Sequence, residues 1–315
     1  MNTKRIFLQD HKSIDFQFNQ NRYDFVVDEI TNREFSNSGN FLILHLKKEY
    51  LSTWDLLKTI SKKLDIEEHK IGYAGLKDKN ATTTQYISIP LMKEKALKVL
   101  NNKQITLLGV YRDNKKLNIG DLAGNRFKIT LKEIKPEDIT ILYQVISQIQ
   151  KHGMPNYFGF QRFGEEYNFD KAKAVVYGEE IVRNKNLEHL LISAYQSYFF
   201  NAWLSKRVQI AKELNLKRLN ILDGDIFSDK TKKTITGLLP GRKVVRSKSQ
   251  AREIEKEFDD EFVYAKGFRR EAWIKPLDIK NKYIKEENQL ILEFTLPKGS
   301  YATVFIENLA NKNFK

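Results

Sequence analysis

Asp78 stands between Lys77 and Lys79 in residues 72–85, GYAGLKDKNATTTQ. Two neighbouring ammonium groups favour the charged form of a carboxylate, so the sequence predicts an ionised Asp78. An ionised carboxylate on a glycine-flanked loop can serve as a nucleophile. A solvated turn of alternating charge is the plain alternative, and residue types alone do not separate the two.

Three further stretches carry groups that chemistry on a base would use. In GNRF, residues 124–127, Asn125 can read a base edge because an amide both donates and accepts. Phe127 can stack on an unstacked base. A turn followed by a core phenylalanine explains the same tetrad. In PNYFGFQRFG, residues 155–164, aromatics alternate with glycine and Arg162, as in platforms for single-stranded nucleic acid. A packed aromatic hinge between domains fits equally. In KGSYAT, residues 298–303, Tyr301 follows a Gly-Ser turn and can face a pocket or the core. Phe25, in DFVV, reads as an ordinary strand residue.

These residues need elements to hold them. Residues 24–30 and 40–46 are rich in Val, Ile, Phe and Leu and read as strands. Residues 53–64 place Trp54, Leu57, Ile60 and Leu64 at helical spacing, with Thr53 as N-cap. Strands follow at 86–89, 105–111 and 126–131, with helices at 93–100 and 137–150. Beyond Pro155 helices dominate, at 169–176 and 187–214. Residues 230–252 hold eight Lys or Arg and no acid, and Gly237, Pro240 and Gly241 break them into a loop. A charged helix resumes at 251–262. Strands return at 289–296 and at 304–308. A β-rich beginning and end around a helical middle predicts an α+β chain with a discontinuous domain. Two sequential domains and a C-terminal hairpin remain the alternative.

The 54 Lys and Arg against 40 Asp and Glu leave a net charge of +14, which suits a polyanionic partner. There is no cysteine, so disulfides and thiolate metal sites are excluded. No two histidines stand at metal-ligand spacing, and no phosphate-cradling glycine motif occurs. The N-terminus lacks the apolar core of a signal peptide, and no apolar run is long enough to span a bilayer. A cytoplasmic protein is expected.

Taken in order, residues 24–30, 72–85, 124–127, 156–164 and 298–303, with SAYQSYFFNAWL at 193–204, resemble the tRNA pseudouridine synthase D (TruD) family. The Lys-Asp-Lys block followed by Ala-x-Thr-x-Gln is the most specific of them. The resemblance implies a mixed, largely antiparallel-sheet catalytic domain at 1–154 plus 276–315. It implies an inserted, largely helical domain at 155–275. It implies isomerisation of uridine to pseudouridine in tRNA, typically uridine 13, using one aspartate and no cofactor. A monomer without a metal is expected from the residues themselves, since no coiled coil, exposed apolar helix or metal-ligand spacing occurs. Asp78 falls at the catalytic aspartate. Phe25, Asn125 and Tyr301 fall at substrate-contacting positions, Phe127 at a base-stacking one, and Lys77 beside the carboxylate as a supporting charge. Two positions depart from the pattern: Phe160 stands where an acid is common, and Tyr301 where some relatives carry phenylalanine. Charge and aromatics alone would also suit a non-catalytic RNA-binding protein. A metal-dependent nuclease fits poorly, because the motif loop offers one carboxylate among cations.

Overall fold

The computed structural model describes residues 4–163, 169–228, 231 and 234–314. In chain order the strands are β1 (Gln17–Phe18), β2 (Phe25–Ile30), β3 (Phe41–Glu49), β4 (Gly72–Tyr73), β5 (Thr82–Pro90), β6 (Ile105–Asp113), β7 (Gly124–Lys132), β8 (Met154–Pro155), β9 (Thr236–Leu239), β10 (Phe268–Glu271), β11 (Trp273–Ile274), β12 (Leu277–Ile284) and β13 (Gln289–Pro297). The helices are α1 (Thr53–Leu64), α2 (Ile139–His152), α3 (Phe169–Val176), α4 (Lys185–Glu213), α5 (Ser249–Glu255) and α6 (Ala302–Ala310).

Contacts gather these elements into two units. A sheet unit takes Asp15–Ile139 and Leu277–Gly299. A helical unit takes Met1–Ile14, Thr140–Pro276 and Ser300–Lys315. These are contact units, and both chain ends fall in the helical one.

In the sheet unit the strand order is β12-β13-β7-β2-β5-β3-β6, with β1 added to β7 and β4 to β5. Only β2 and β5 run parallel; every other pairing is antiparallel. The mixed, largely antiparallel α+β fold read from the sequence is the one observed. Period-2 alternation sends Leu42, Leu44, Leu46 and Lys48 of β3 inward. The three leucines meet Leu56, Leu57, Ile60 and Leu64 of α1, together with Ile87 and Ile89 of β5. Each such side chain contributes about 1.5–3 kcal/mol on full burial.

Helix α1 has the span predicted, but its cap lies one residue earlier, outside it. Ser52 is its N-cap: the Ser52 hydroxyl oxygen accepts from the Asp55 backbone N–H at 3.1 Å and donates to the Asp55 carboxylate at 2.6 Å. The helix stops where Asp65 turns left-handed at φ 50°. Thr53 is thereby freed for contacts with the segment before β5. Residues 93–100, predicted α-helical, form 3-10 turns instead.

In the helical unit α3 packs on α4 through Ala172, Val175, Val176, Ile192 and Tyr195. Residues 304–308, predicted as a strand, lie within helix α6, which is buried on every side. A helix buried on every side shows no amphipathic period, and its short apolar run then reads as a strand. Glu307 of α6 meets the buried guanidinium of Arg5, whose Nε donates to Oε2 at 2.9 Å. The basic stretch 230–252 is not a loop throughout. Lys230, Lys232 and Lys233 lie outside the described residues, but β9 within it is buried and pairs with β10, and α5 begins at Ser249. Among the described residues no helix is long and apolar enough to cross a membrane.

Candidate active site

Asp78 lies on the segment between β4 and β5, and three contacts fix the backbone there. The Thr53 hydroxyl accepts from the Lys77 backbone N–H at 2.9 Å and donates to Gln85 Oε1 at 3.1 Å. The Lys77 ammonium pairs with Glu29, Nζ to Oε2 at 2.5 Å, with both side chains nearly wholly buried. The second Glu29 oxygen accepts from the Tyr86 backbone N–H at 3.0 Å. Finally Lys48, whose side chain is fully buried, donates to the carbonyls of Asp78 at 2.9 Å and Leu51 at 2.5 Å.

Lys48 carried no motif signal. Its mark in the sequence is its spacing: it continues the inward row Leu42, Leu44, Leu46, where a lysine is out of place. Burial pushes its pKa down to about 8, against the pull of Asp78.

The Asp78 carboxyl is not held low, as its flanking lysines predict. Desolvation raises its pKa and outweighs the opposing charges of Lys48 and, less strongly, Lys77. Asp78 is nevertheless exposed, so the group is reachable from solvent. A raised carboxylate beside a buried ammonium is a common arrangement at catalytic positions.

Asn125 opposes Glu29 across the β2–β7 ladder, and cross-strand partners project from the same face. The face that carries Asn125 therefore also carries the carboxylate that holds Lys77. Asn125 Oδ1 is buried and has no hydrogen-bond partner among the described residues. Buried amide oxygens are rarely left so, and a substrate N–H can supply the missing donor. Phe25 and Phe127 lie on the same face. Phe127 is 5 % exposed, with the Phe25 ring at 6.2 Å and Phe294 stacked at 5.5 Å. The Phe127 ring is thus packed among core aromatics. Gly124 is explained by close approach: a Cβ there would stand 2.2 Å from the Leu296 carbonyl oxygen.

Tyr301 belongs to the helical unit, where it precedes α6 and meets Phe158 edge-on at 6.0 Å. Three motif blocks converge around it. A Cβ at Gly159 would come within 2.6 Å of Thr303 Oγ1 and 3.0 Å of the Tyr301 ring. Asn201 of α4 clamps Phe158, accepting from its N–H and donating to its carbonyl, both at 2.9 Å. Arg270, which no motif marked, lies over the Phe158 ring at 4.0 Å and donates to Asn156 Oδ1 at 2.9 Å. Burial pushes the pKa of this guanidinium down to about 10.

The fold is a mixed, largely antiparallel α+β one with an exposed, tightly anchored aspartate segment between β4 and β5. The chain belongs to the tRNA pseudouridine synthase D (TruD) family: the model of that description matches residues 3–185 and 228–309. It is 39% identical to the tRNA pseudouridine synthase D of a Nitratiruptor species, covering 99% of each chain. It is also 39% identical to the protein of that name from Sulfurimonas denitrificans, over 98% of this chain and 99% of the relative. A crystal structure of the putative tRNA pseudouridine synthase D from Methanosarcina mazei superimposes with a TM-score of 0.73 at 25% identity, covering 99% of this chain and 97% of that one. The protein is accordingly a pseudouridine synthase, an isomerase.

Proposed function

We propose that the protein isomerises uridine to pseudouridine in tRNA, at uridine 13, with Asp78 as the reacting carboxylate. The observation that carries this reading is the threefold fixation of the Asp78 segment by Thr53, Glu29–Lys77 and Lys48. A group held in one geometry avoids the entropy cost of finding it during reaction. The reaction breaks the C–N glycosidic bond and joins C1′ of the same ribose to C5 of the same uracil, with C5 giving up one proton and N1 taking one up, so no redox partner or cofactor is required. Asp78 begins it either by adding to C1′ or by taking a proton from C2′. Both routes start from the ionised carboxylate.

Asn125 supplies a hydrogen-bond acceptor to the base edge, which its unpartnered Oδ1 supports. Phe25 and Phe127 form the apolar backing behind that amide. Lys77 acts in support, by its charge and by anchoring the loop. Tyr301 contacts substrate by the position it holds in its motif. The target uridine leaves its stack first, at a cost of roughly a few kcal/mol. Phosphate contacts from a chain of net charge +14 offset that cost. We further assign residues 1–154 plus 276–315 to the catalytic domain and 155–275 to an inserted one, and place the protein in the cytoplasm as a monomer. Mass-spectrometric mapping of pseudouridine in tRNA treated with wild-type or Asp78→Asn protein tests the reading. Modification at position 13 by wild type alone is expected; equal modification by both removes Asp78 from the chemistry.

A further inference from the structure

Beside the Asp78 segment the sheet unit displays aromatic side chains that its core does not need. Tyr23 is 70 % exposed and Tyr50 41 %. The Arg22 guanidinium lies between them, 4.6 Å from the centroid of one ring and 5.8 Å from the other.

Each part of this cluster is fixed from below. The Asn21 side-chain oxygen accepts from the backbone N–H groups of Tyr23 at 2.8 Å and Asp24 at 2.9 Å, which sets the loop that presents Tyr23. Tyr50 holds φ at 50°. That region is an outlier for a bulky side chain, and such strain persists where the surroundings impose it. Even so, Tyr50 stays 41 % exposed between β3 and α1, with the Arg22 guanidinium against its ring.

The cluster is continuous with the catalytic segment. The Tyr50 backbone N–H points to the Ala81 carbonyl at 3.4 Å, three residues beyond Asp78. The Thr82 hydroxyl donates to the Arg22 carbonyl at 2.8 Å. Glu49 shares Arg22, Nη1 to Oε2 at 3.5 Å, but is itself held by Lys47 at 2.7 Å, so the group Arg22, Lys47 and Glu49 stays net cationic.

The geometry points to a stacking platform: Tyr23, Arg22 and Tyr50 receive an unpaired nucleotide next to the target uridine of the RNA substrate. This rests on the proposed RNA reaction and adds a second subsite to it. Aromatic faces and a guanidinium plane accept any base, while the cationic surroundings suit its phosphate. The platform therefore holds the displaced strand without reading its sequence.

The test uses tRNA transcripts carrying 2-aminopurine on either side of uridine 13, bound to the Asp78→Asn protein so that no turnover intervenes. Stacking on the platform quenches the fluorophore on one side. Tyr23→Ser with Tyr50→Gly abolishes the quenching and weakens RNA binding about ten-fold or more, on the scale of losing one base–aromatic stack. Tyr50→Phe keeps both. Tyr50→Gly tolerates positive φ, so its melting temperature equals or exceeds that of the parent and loss of fold does not intrude. Tyr23→Ser alone, at an exposed side chain, reads the same effect. Unchanged quenching and affinity in the double variant overturn the platform, as does RNA that binds neither protein. Normal quenching beside a wild-type protein that makes no pseudouridine would leave the platform standing and remove the proposed reaction.

Discussion

The Lys48 ammonium donates to the Asp78 carbonyl at 2.9 Å across 30 residues of sequence. Strand β3 is thereby tied to the segment that carries Asp78, the carboxylate of the proposed reaction. The contact orders the backbone, while the charge acts on the carboxyl beside it. The two effects are separable by experiment.

The first prediction concerns stability. Lys48 titrates at about 8 in the fold against 10.5 when free, a difference worth roughly 3 kcal/mol. Between those values the unfolded chain binds more protons, so this group makes stability rise with pH from about 8 to about 10. Lys48→Met lacks that rise. Denaturant melts at about pH 7 and 10 check it; parallel pH dependence in both proteins would show that Lys48 carries no such shift.

In the proposed reaction the acid limb of activity is set by Asp78. A raised pKa means that the carboxylate ionises later as pH rises, so the limb of kcat/KM lies above the ordinary aspartate value of about 3.9. Lys48 pulls that pKa downward, and Lys48→Met moves the limb further up. Pseudouridine formation measured across the acid range reads both. A limb that stays in place in the variant excludes Lys48 from the electrostatics.

Glu29→Gln strands the Lys77 ammonium in a buried position. Breaking such a pair from one side costs about 3–5 kcal/mol. Glu29→Gln combined with Lys77→Met removes both charges and recovers a large part of that loss. Thermal melts of the single and double variants separate the cases; additive losses would mean that the pair is not coupled.

Gly124→Ala drives a methyl group into the Leu296 carbonyl. Neither side of that contact is a flexible side chain, so β7 and β13 must separate. A loss of about 1–3 kcal/mol in chemical denaturation is expected. Activity falls with it, because Asn125 is the next residue on the strand. A variant of wild-type stability would show that this strand end has room to relax.

Much of this was legible in the sequence. The core of strand β3, the span of α1 and the glycine-flanked aspartate all follow from periodicity and residue type. Asn125 was found through its motif. The remainder depends on contacts that no local pattern encodes. Lys77 reads as a neighbour of Asp78, yet its ammonium pairs with Glu29, 48 positions earlier. The apolar run in α6 gives no period because every side of that helix is covered. The Thr53 hydroxyl reads as a cap but is spent on the Lys77 backbone and Gln85. Arg270 is conspicuous only once Phe158 and Asn156 have been brought to it.

The last strand of the sheet has a consequence for biosynthesis. β13, at Gln289–Pro297, is an interior strand inserted between β12 and β7. While the ribosome is still translating the helical segment, the β7 edge has no partner, and an open edge invites pairing with other chains. The sheet unit therefore completes only after translation has passed residue 297. Premature termination before that point yields a chain with a bare strand edge, prone to aggregate, rather than a smaller working enzyme.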